Sequence, residues 1–382
     1  MKKFTTLLLS VFLIMQFTAT AQTWSVTKRL TWNSGASRAP SLDIVSSSGI
    51  HVVWSDDTAG NSEIYYKSSI DSGSSWSPLQ RLTWNSGESN SPVICSDSAG
   101  RLHVFWFDDS TSNSEIYHKS SSDGGSTWTA LTRFTWNLGE SVWPSVSSDS
   151  AGSLYTVWAD NSPGHSEIYY KQSTDNGASW SALNRLTWNS GGSYTPVITA
   201  HSVYGIHLVW ADDSPGNQEI FYKNTMDNGS TWSAPQRLTW NSGTSESASI
   251  AMDASGRIYV FWDDDSPGNR EIYYKQSSDS GTTWSALGRL TWNPDWSGSP
   301  TANADSLNGI HIIWQDETPG NFEIYYKNST NSGMTWSAVT RLTWNSGWSG
   351  GPSLIVDSSN GLHTVWYDQT PGNFEIFYKN KK

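Results

Sequence analysis

The sequence predicts an all-β fold, a seven-bladed β-propeller of four-stranded antiparallel blades, and three observations carry that expectation. The motif Arg-Leu-Thr-Trp places tryptophan at Trp32, Trp84, Trp136, Trp188, Trp240, Trp292 and Trp344, a step of 52 residues repeated without insertion or deletion. A second tryptophan series, from Trp54 to Trp366, keeps the same register. Each repeat holds several short strand-like alternations separated by turn residues, the pattern of radially stacked sheets.

The elements follow in chain order. Residues 1–21 combine Lys2 and Lys3 with an apolar run from Leu7 to Phe17 and the small-residue ending Ala19-Thr20-Ala21, which reads as a cleaved secretory signal. The propeller is expected over residues 22–382. Thr23-Trp24-Ser25 and Arg29-Leu30-Thr31-Trp32 match the fourth strand of a repeat, while the chain stops after the third-strand pattern Glu375 to Lys379. The N-terminal segment should therefore supply the missing strand of the last blade and close the ring. In the second repeat the four strands are expected at Pro92 to Ser96, Leu102 to Phe107, Glu115 to Ser120 and Trp128 to Thr135. Asp97-Ser98-Ala99-Gly100 forms the first turn, and an acidic loop such as Asp213-Ser214-Pro215-Gly216-Asn217 joins the second strand to the third.

The third turn reads Ser121-Ser122-Asp123-Gly124-Gly125-Ser126-Thr127-Trp128, with near copies around Asp71, Asp175, Asp227 and Asp279 and a sixth copy carrying Asn331 in place of aspartate. This motif resembles the Asp box of the sialidase-like, bacterial neuraminidase repeat families, and the likeness spans essentially the whole chain after the leader. Locally the carboxylate accepts turn N–H groups, glycine supplies positive φ, and tryptophan seals the hairpin against the next sheet. These five aspartates are expected to be structural. The resemblance implies a propeller whose boxes lie on the face away from any active site. It also implies the set that catalytic members use: three arginines for a substrate carboxylate, a tyrosine–glutamate nucleophile pair and an acid–base aspartate on six blades.

This sequence departs from that set. It has seven repeats, and seven of its arginines, from Arg29 to Arg341, recur in the fourth strand. Arg101 and Arg257 follow the first turn, on the Asp-box face; Arg38, within Ser37-Arg38-Ala39-Pro40, resembles the Arg-x-Pro start of a sialidase first blade, and Arg270 lies in an acidic loop. The rings of Asp56 to Asp368 and Glu63 to Glu375 are sevenfold copies, whereas a glycosidase needs two carboxylates set apart by their surroundings. Loop capping by Asp and pairing of Glu with a cross-strand cation account for both rings. Histidine at His51, His103, His207, His311 and His363 gives way to Tyr155 and Tyr259, so a packed strand role fits it better than metal ligation or proton transfer.

The formal charge of −12, or −14 without the leader lysines, argues against nucleic acid and anionic membrane as partners. No later stretch is apolar enough to span a bilayer. Cys95, the single cysteine, is expected as a small strand residue. No cofactor is indicated; calcium suits oxygen-rich loops such as Asp264-Asp265-Ser266, but the spacing matches no calcium loop.

Function should then lie where the repeats disagree. Twenty-one of 24 tryptophans are repeated; the other three, Trp143, Trp296 and Trp348, fall in the segment that leads from one blade to the next. Arg38, Asn90, Val142, Tyr194, Glu246, Gly298 and Gly350 occupy another variable position there, and Phe322 and Phe374 replace small or polar residues of the second-to-third-strand loop on the same face. Trp296, Trp348, Phe322 and Phe374 are expected to gather beside Asp316, Glu317 and Asp368, with Arg38, Arg270, Trp143 and Tyr194 completing the candidate ligand site. Aromatic plates bounded by polar groups suit a sugar. The expectation is a secreted, periplasmic or cell-surface monomer that binds a glycan or surface polymer without catalysis. The alternatives are an exo-acting glycoside hydrolase of sialidase type and a protein-binding or structural surface component.

Overall fold

The structure, a computed structural model, describes residues 23–45 and 49–382; the expected leader lies outside the described residues. Among these residues there is no helix. Twenty-eight strands form seven four-stranded sheets. After β1 (Lys28–Arg29), blade one consists of β2 (Ser37–Val45), β3 (Gly49–Asp56), β4 (Glu63–Ser69) and β5 (Gln80–Arg81). The pattern recurs to blade seven, built from β26 (Ser349–Val356), β27 (Leu362–Asp368) and β28 (Glu375–Lys381). No described helix is long and apolar enough to cross a membrane.

Ring closure occurs as the sequence predicts. β1 pairs antiparallel with β28, Lys28 opposite Tyr378 and Arg29 opposite Phe377, and Trp24 bridges to Lys381. Trp24 also lies edge-on to Tyr326 of blade six at 5.2 Å, the place that the Asp-box tryptophan takes in every other blade.

Each second strand is buried on both faces because neighbouring blades cover it. Leu102–Asp108 is buried at all but one position, and the tryptophans from Trp54 to Trp366 are at most 1% exposed. The first strands carry a bulge at one position, occupied by proline in six blades and by Ala248 in blade five. In blade two Ser89 faces Asp108 and Asn90 faces Phe107, then the register shifts and resumes at Val93 opposite Phe105. That strand therefore begins at Ser89, three residues before the expected Pro92, because the bulge takes up the residue that cannot donate a ladder hydrogen bond. The fourth strand is correspondingly shorter than expected: of Trp128 to Thr135 only Thr132–Arg133 lie in the ladder. Thr129 N donates to Ser120 O at 2.9 Å while Ser120 N donates to the Thr129 hydroxyl at 3.0 Å, so a side chain stands in for a backbone acceptor. The backbone departs there and returns at Phe134 N, which donates to Ile116 O at 2.7 Å.

The repeated polar residues build the blades. Asp71 accepts Ser75 N at 2.8 Å and the Ser75 hydroxyl at 2.6 Å, which holds its carboxyl far below the usual range; the same bonds, led by Thr127, hold Asp123 at about 2. Asn331 keeps the turn, its Oδ1 accepting Thr335 N and its Nδ2 donating to the Thr335 hydroxyl. The box tryptophan packs on the preceding blade, not the next one: Trp128 lies edge-on to Tyr66 at 5.2 Å. The turn itself is anchored on that side, with Tyr66 Oη donating to Gly124 O at 3.0 Å. Glu63, fully buried, accepts Arg81 Nη2 at 2.6 Å and Asn85 N at 3.1 Å. Asp56 accepts the Ser37 hydroxyl and Asn33 Nδ2, both at 2.5 Å, and Thr58 N at 2.9 Å. His51 shares a 2.7 Å bond with Tyr66 Oη, and burial lowers its pKa to about 4. Cys95 is buried, which pushes its thiol pKa up.

Candidate functional site

The connectors between blades set the site. In five blades a loop residue caps the incoming connector: Asp57, Asp109, Asn161, Asp213 and Asp265 each accept a connector N–H at 2.6–2.7 Å. In blades six and seven this residue becomes Glu317 and Gln369, one carbon longer, where the connector brings Trp296 and Trp348. Two residues further on, the first strands carry glycine for want of room. A Cβ at Gly298 would stand 2.6 Å from Trp296 Nε1, and one at Gly350 would stand 2.7 Å from Tyr367 Oη.

The four aromatics expected to gather form one continuous arc. Trp296 meets Phe322 edge-on at 4.9 Å, Phe322 stacks on Trp348 at 5.1 Å and 22°, and Trp348 meets Phe374 at 6.1 Å. Both ends carry a guanidinium. Arg270 lies over Trp296 at 5.5 Å and Arg38 over Phe374 at 4.6 Å. Six of the eight expected site residues thus adjoin one another across blades five, six, seven and one. Phe322 is only 7% exposed and backs the two indoles, whereas Trp348 is 39% exposed and offers ring surface.

The two ends differ electrostatically. Arg270 bonds Asp263 at 2.6 Å and also Glu246. Burial raises the carboxyl of Asp263 to about 6 although Arg270 opposes the shift, and Ser299 N donates to its Oδ1 at 3.2 Å. Arg38 is exposed and borders a cavity of about 380 Å³ between blades one and two, whose walls include Asp57, Glu88, Asn90 and Phe107. Ser62 reinforces that wall, its N–H on Glu88 and its hydroxyl on Asn90 at 2.8 and 3.0 Å.

Trp143 and Tyr194 stand apart from the arc, on blades three and four. They meet edge to face at 6.3 Å, and Tyr194 Oη donates to Asp213 at 3.2 Å. Trp143 lines the mouth of the axial channel, a space of about 430 Å³ ringed by Pro40, Pro92, Pro144, Pro196, Pro300 and Pro352. Its φ of 53°, shared in kind by Ala39, Ser91, Thr195, Ser247 and Ser299, comes from the first-strand bulge and turns the indole towards the axis.

One expectation is corrected. Asp316 and Asp368 do not border the aromatics as free carboxylates; each is 1% exposed and accepts Ser297 or Ser349 hydroxyl at 2.8 Å. Asp264 caps its loop as expected of the repeated ring, accepting Ser245, Asn241 and Ser266 N. Conversely, the inner wall of the arc holds Asp263, Gln315 and Tyr367, which sequence reading passed over. Gln315 Oε1 accepts Gly351 N at 3.0 Å and Tyr367 meets Phe374 edge-on at 5.2 Å. A signal existed: this position reads Ser55, Phe107, Ala159, Ala211, Asp263, Gln315 and Tyr367, and it is the cross-strand partner of the variable position that runs from Arg38 to Gly350.

Residues 54–294 match the family described as BNR repeat-like domain. No curated protein matches the chain. Solved structures share the fold. A protein of unknown function from Dyadobacter fermentans is 15% identical, with 93% of this chain and 99% of that one covered at a TM-score of 0.61. A polysaccharide lyase, ulvan lyase, is 11% identical over 92% and 95% at 0.68. NanB sialidase from Streptococcus pneumoniae is 14% identical over 92% and 70% at 0.53.

Proposed function

The chain belongs to the BNR repeat-like domain family, and on that premise we propose that it is an exported carbohydrate-binding protein that seats a glycan along the arc from Arg270 to Arg38. The observation that carries this reading is the unbroken run of Trp296, Phe322, Trp348 and Phe374 between two guanidinium groups. Indole and phenyl faces take up the C–H face of a pyranose, and Gln315, Tyr367 and the polar cavity beside Arg38 offer partners to hydroxyl groups. That its fold neighbours include a sialidase and a polysaccharide lyase supports the ligand class. The leader-like segment supports export.

A glycan array tests this. Covering one indole stabilises a complex by about 1.5–3 kcal/mol, so Trp348→Ala should weaken binding roughly 10- to 100-fold, with an unchanged melting temperature because the ring is partly exposed. A silent array, or binding indifferent to both Trp296→Ala and Trp348→Ala, overturns the reading.

The exo-glycosidase reading has one observation of its own, the carboxyl of Asp263 held near 6 beside Glu246. Both carboxylates, however, are tied to Arg270, and Arg38 sits at the far end of the arc. Turnover of a fluorogenic sialoside that disappears in Arg38→Ala and Asp263→Asn would replace binding by hydrolysis.

A further inference from the structure

The seven tryptophans of the Arg-Leu-Thr-Trp motif, from Trp32 to Trp344, have the recurrence of structural residues but not their burial. All seven are 65–67% exposed, while the series from Trp54 to Trp366 is at most 1% exposed. An identical large apolar face presented to water seven times around one molecule is not needed to build a blade, since the blade cores are complete without it.

Each indole is held in place. In all seven copies a lysine from the third strand of the following blade places its ammonium 5.1–6.0 Å from the ring centroid. In six of them the same ammonium donates to a main-chain carbonyl two residues before the tryptophan, as Lys275 does to Leu238 O at 2.7 Å. An arginine of the fourth strand stands 5.7–5.8 Å from the ring in six copies, itself fixed by the buried glutamate. Cation contacts of this kind, worth about 0.5–1 kcal/mol at an exposed site, reduce the rotamer freedom that the ring has left to lose on binding.

Beside the ring lies a groove. Between Trp240 and blade five it holds about 300 Å³, with Tyr273, Leu287, Lys275 and Ser266 on its walls. The equivalent groove between Trp344 and blade seven holds about 520 Å³, with Phe377, Lys379, Thr370 and Thr27 in the corresponding places. Both volumes fall in the range of small-ligand sites, about 300–1,000 Å³. The far wall is also exposed and apolar in other blades, Leu79 and Leu131 at 48% and Leu183 at 53%. The carboxylate at each groove floor is occupied by hydrogen bonds from the connector, as Asp264 is by Ser245 and Asn241. What faces the groove is an aromatic plate, a side wall that is leucine beside Trp240 and Thr27 beside Trp344, one ammonium, and one hydroxyl, which in Ser266 donates to Asp264 and keeps its oxygen free to accept.

We infer that these seven inter-blade grooves are equivalent sites for pyranose units, and that the molecule takes hold of a repetitive or densely displayed polysaccharide through several of them at once. The plate and side wall receive the C–H surfaces of the sugar, and the ammonium and hydroxyl take ring hydroxyl groups. The sites are separate from the arc, so either can fail alone. Sites fixed on one rigid ring convert later contacts into intramolecular events, which raises avidity by about 10²–10⁴ over one site.

Native mass spectrometry of the folded chain with glucose, galactose, mannose and N-acetylglucosamine, each as its methyl glycoside, reads the stoichiometry directly. Occupancy rising towards seven on at least one glycoside, kept in Trp348→Ala and reduced by one in Trp240→Ala, is expected. On immobilised polysaccharides of the same sugars, Trp188→Ala, Trp240→Ala, Trp292→Ala and Trp344→Ala combined should lower apparent affinity at least 10-fold. The exposed positions tolerate alanine, and an unchanged melting temperature of that variant verifies folding. Occupancy limited to one and abolished by Trp348→Ala overturns the grooves and leaves the arc; no occupancy by any glycoside, with no polysaccharide retained, overturns the grooves outright.

Discussion

Among single residues the buried glutamates govern stability. Glu219 is fully buried and accepts Arg237 Nη2 at 2.7 Å and Asn241 N at 3.1 Å, so it ties the third strand, the fourth strand and the connector at one point. Arg237→Ala leaves that carboxylate buried without its cation, a loss of about 3–5 kcal/mol. The expected result is a melting temperature lowered by several degrees, with partial recovery in the double variant that adds Glu219→Gln, because the orphaned charge is then gone. Thermal unfolding followed by circular dichroism checks both. At this scale the sequence was a good guide to role and a poor one to exposure. Recurrence identified Glu219, Asp264 and His207 as builders, and their bonds agree. It also classed Trp240 with them, since a repeat count cannot distinguish an indole inside a blade from one on its rim. Asp263, Gln315 and Tyr367 escaped because their significance depends on which residues face each other across the first and second strands, and the bulge that sets this register is invisible in a linear pattern.

The strands themselves were legible wherever burial is two-sided. Leu102–Asp108 begins where the alternation begins and outruns it by one residue. Misplacement occurred where side chains replace backbone partners, at the Ser120–Thr129 exchange, and where proline is absorbed by the bulge before Val93. The closing strand β1 was predicted from a mismatch between the two chain ends and is present with its tryptophan seated on Tyr326. Deleting residues 23–32 removes the partner of β28 and bares its edge and the blade-seven interface. The melting temperature should fall by on the order of 10 °C or more, with association appearing in light scattering; a monomeric truncation of undiminished stability would contradict closure.

For the whole molecule, repetition multiplies small electrostatic effects. His51 and His207 are held near 4 and His118 near 3 by burial, and His103, His311 and His363 are shifted in the same direction, largely for that reason. An unfolded histidine takes up a proton below about 6.5, but the folded ring resists until about 4. The unfolded state therefore binds more protons in that window, and stability, complete above about pH 6.5, declines as pH falls towards 4. The Asp boxes act lower down. With carboxyls at about 2, they contribute above the ordinary aspartate range and lose that contribution as pH drops towards 2. Melting temperatures measured from pH 8 to pH 3 should decline in the histidine window first; a flat profile down to pH 4 would contradict neutral burial.

Ring closure also has a consequence in time. Arg29 is made 346 residues before its partner Glu375. At about 5–20 residues per second, that strand waits on the order of 20–70 s for its blade. Blades one to six can form behind it as they emerge, each resting on its predecessor, but the closing interface stays open until β28 is made. Until Glu375 is made, a nascent molecule therefore carries a loose basic strand and an uncovered first blade, and any chaperone that meets it in that period meets an open ring.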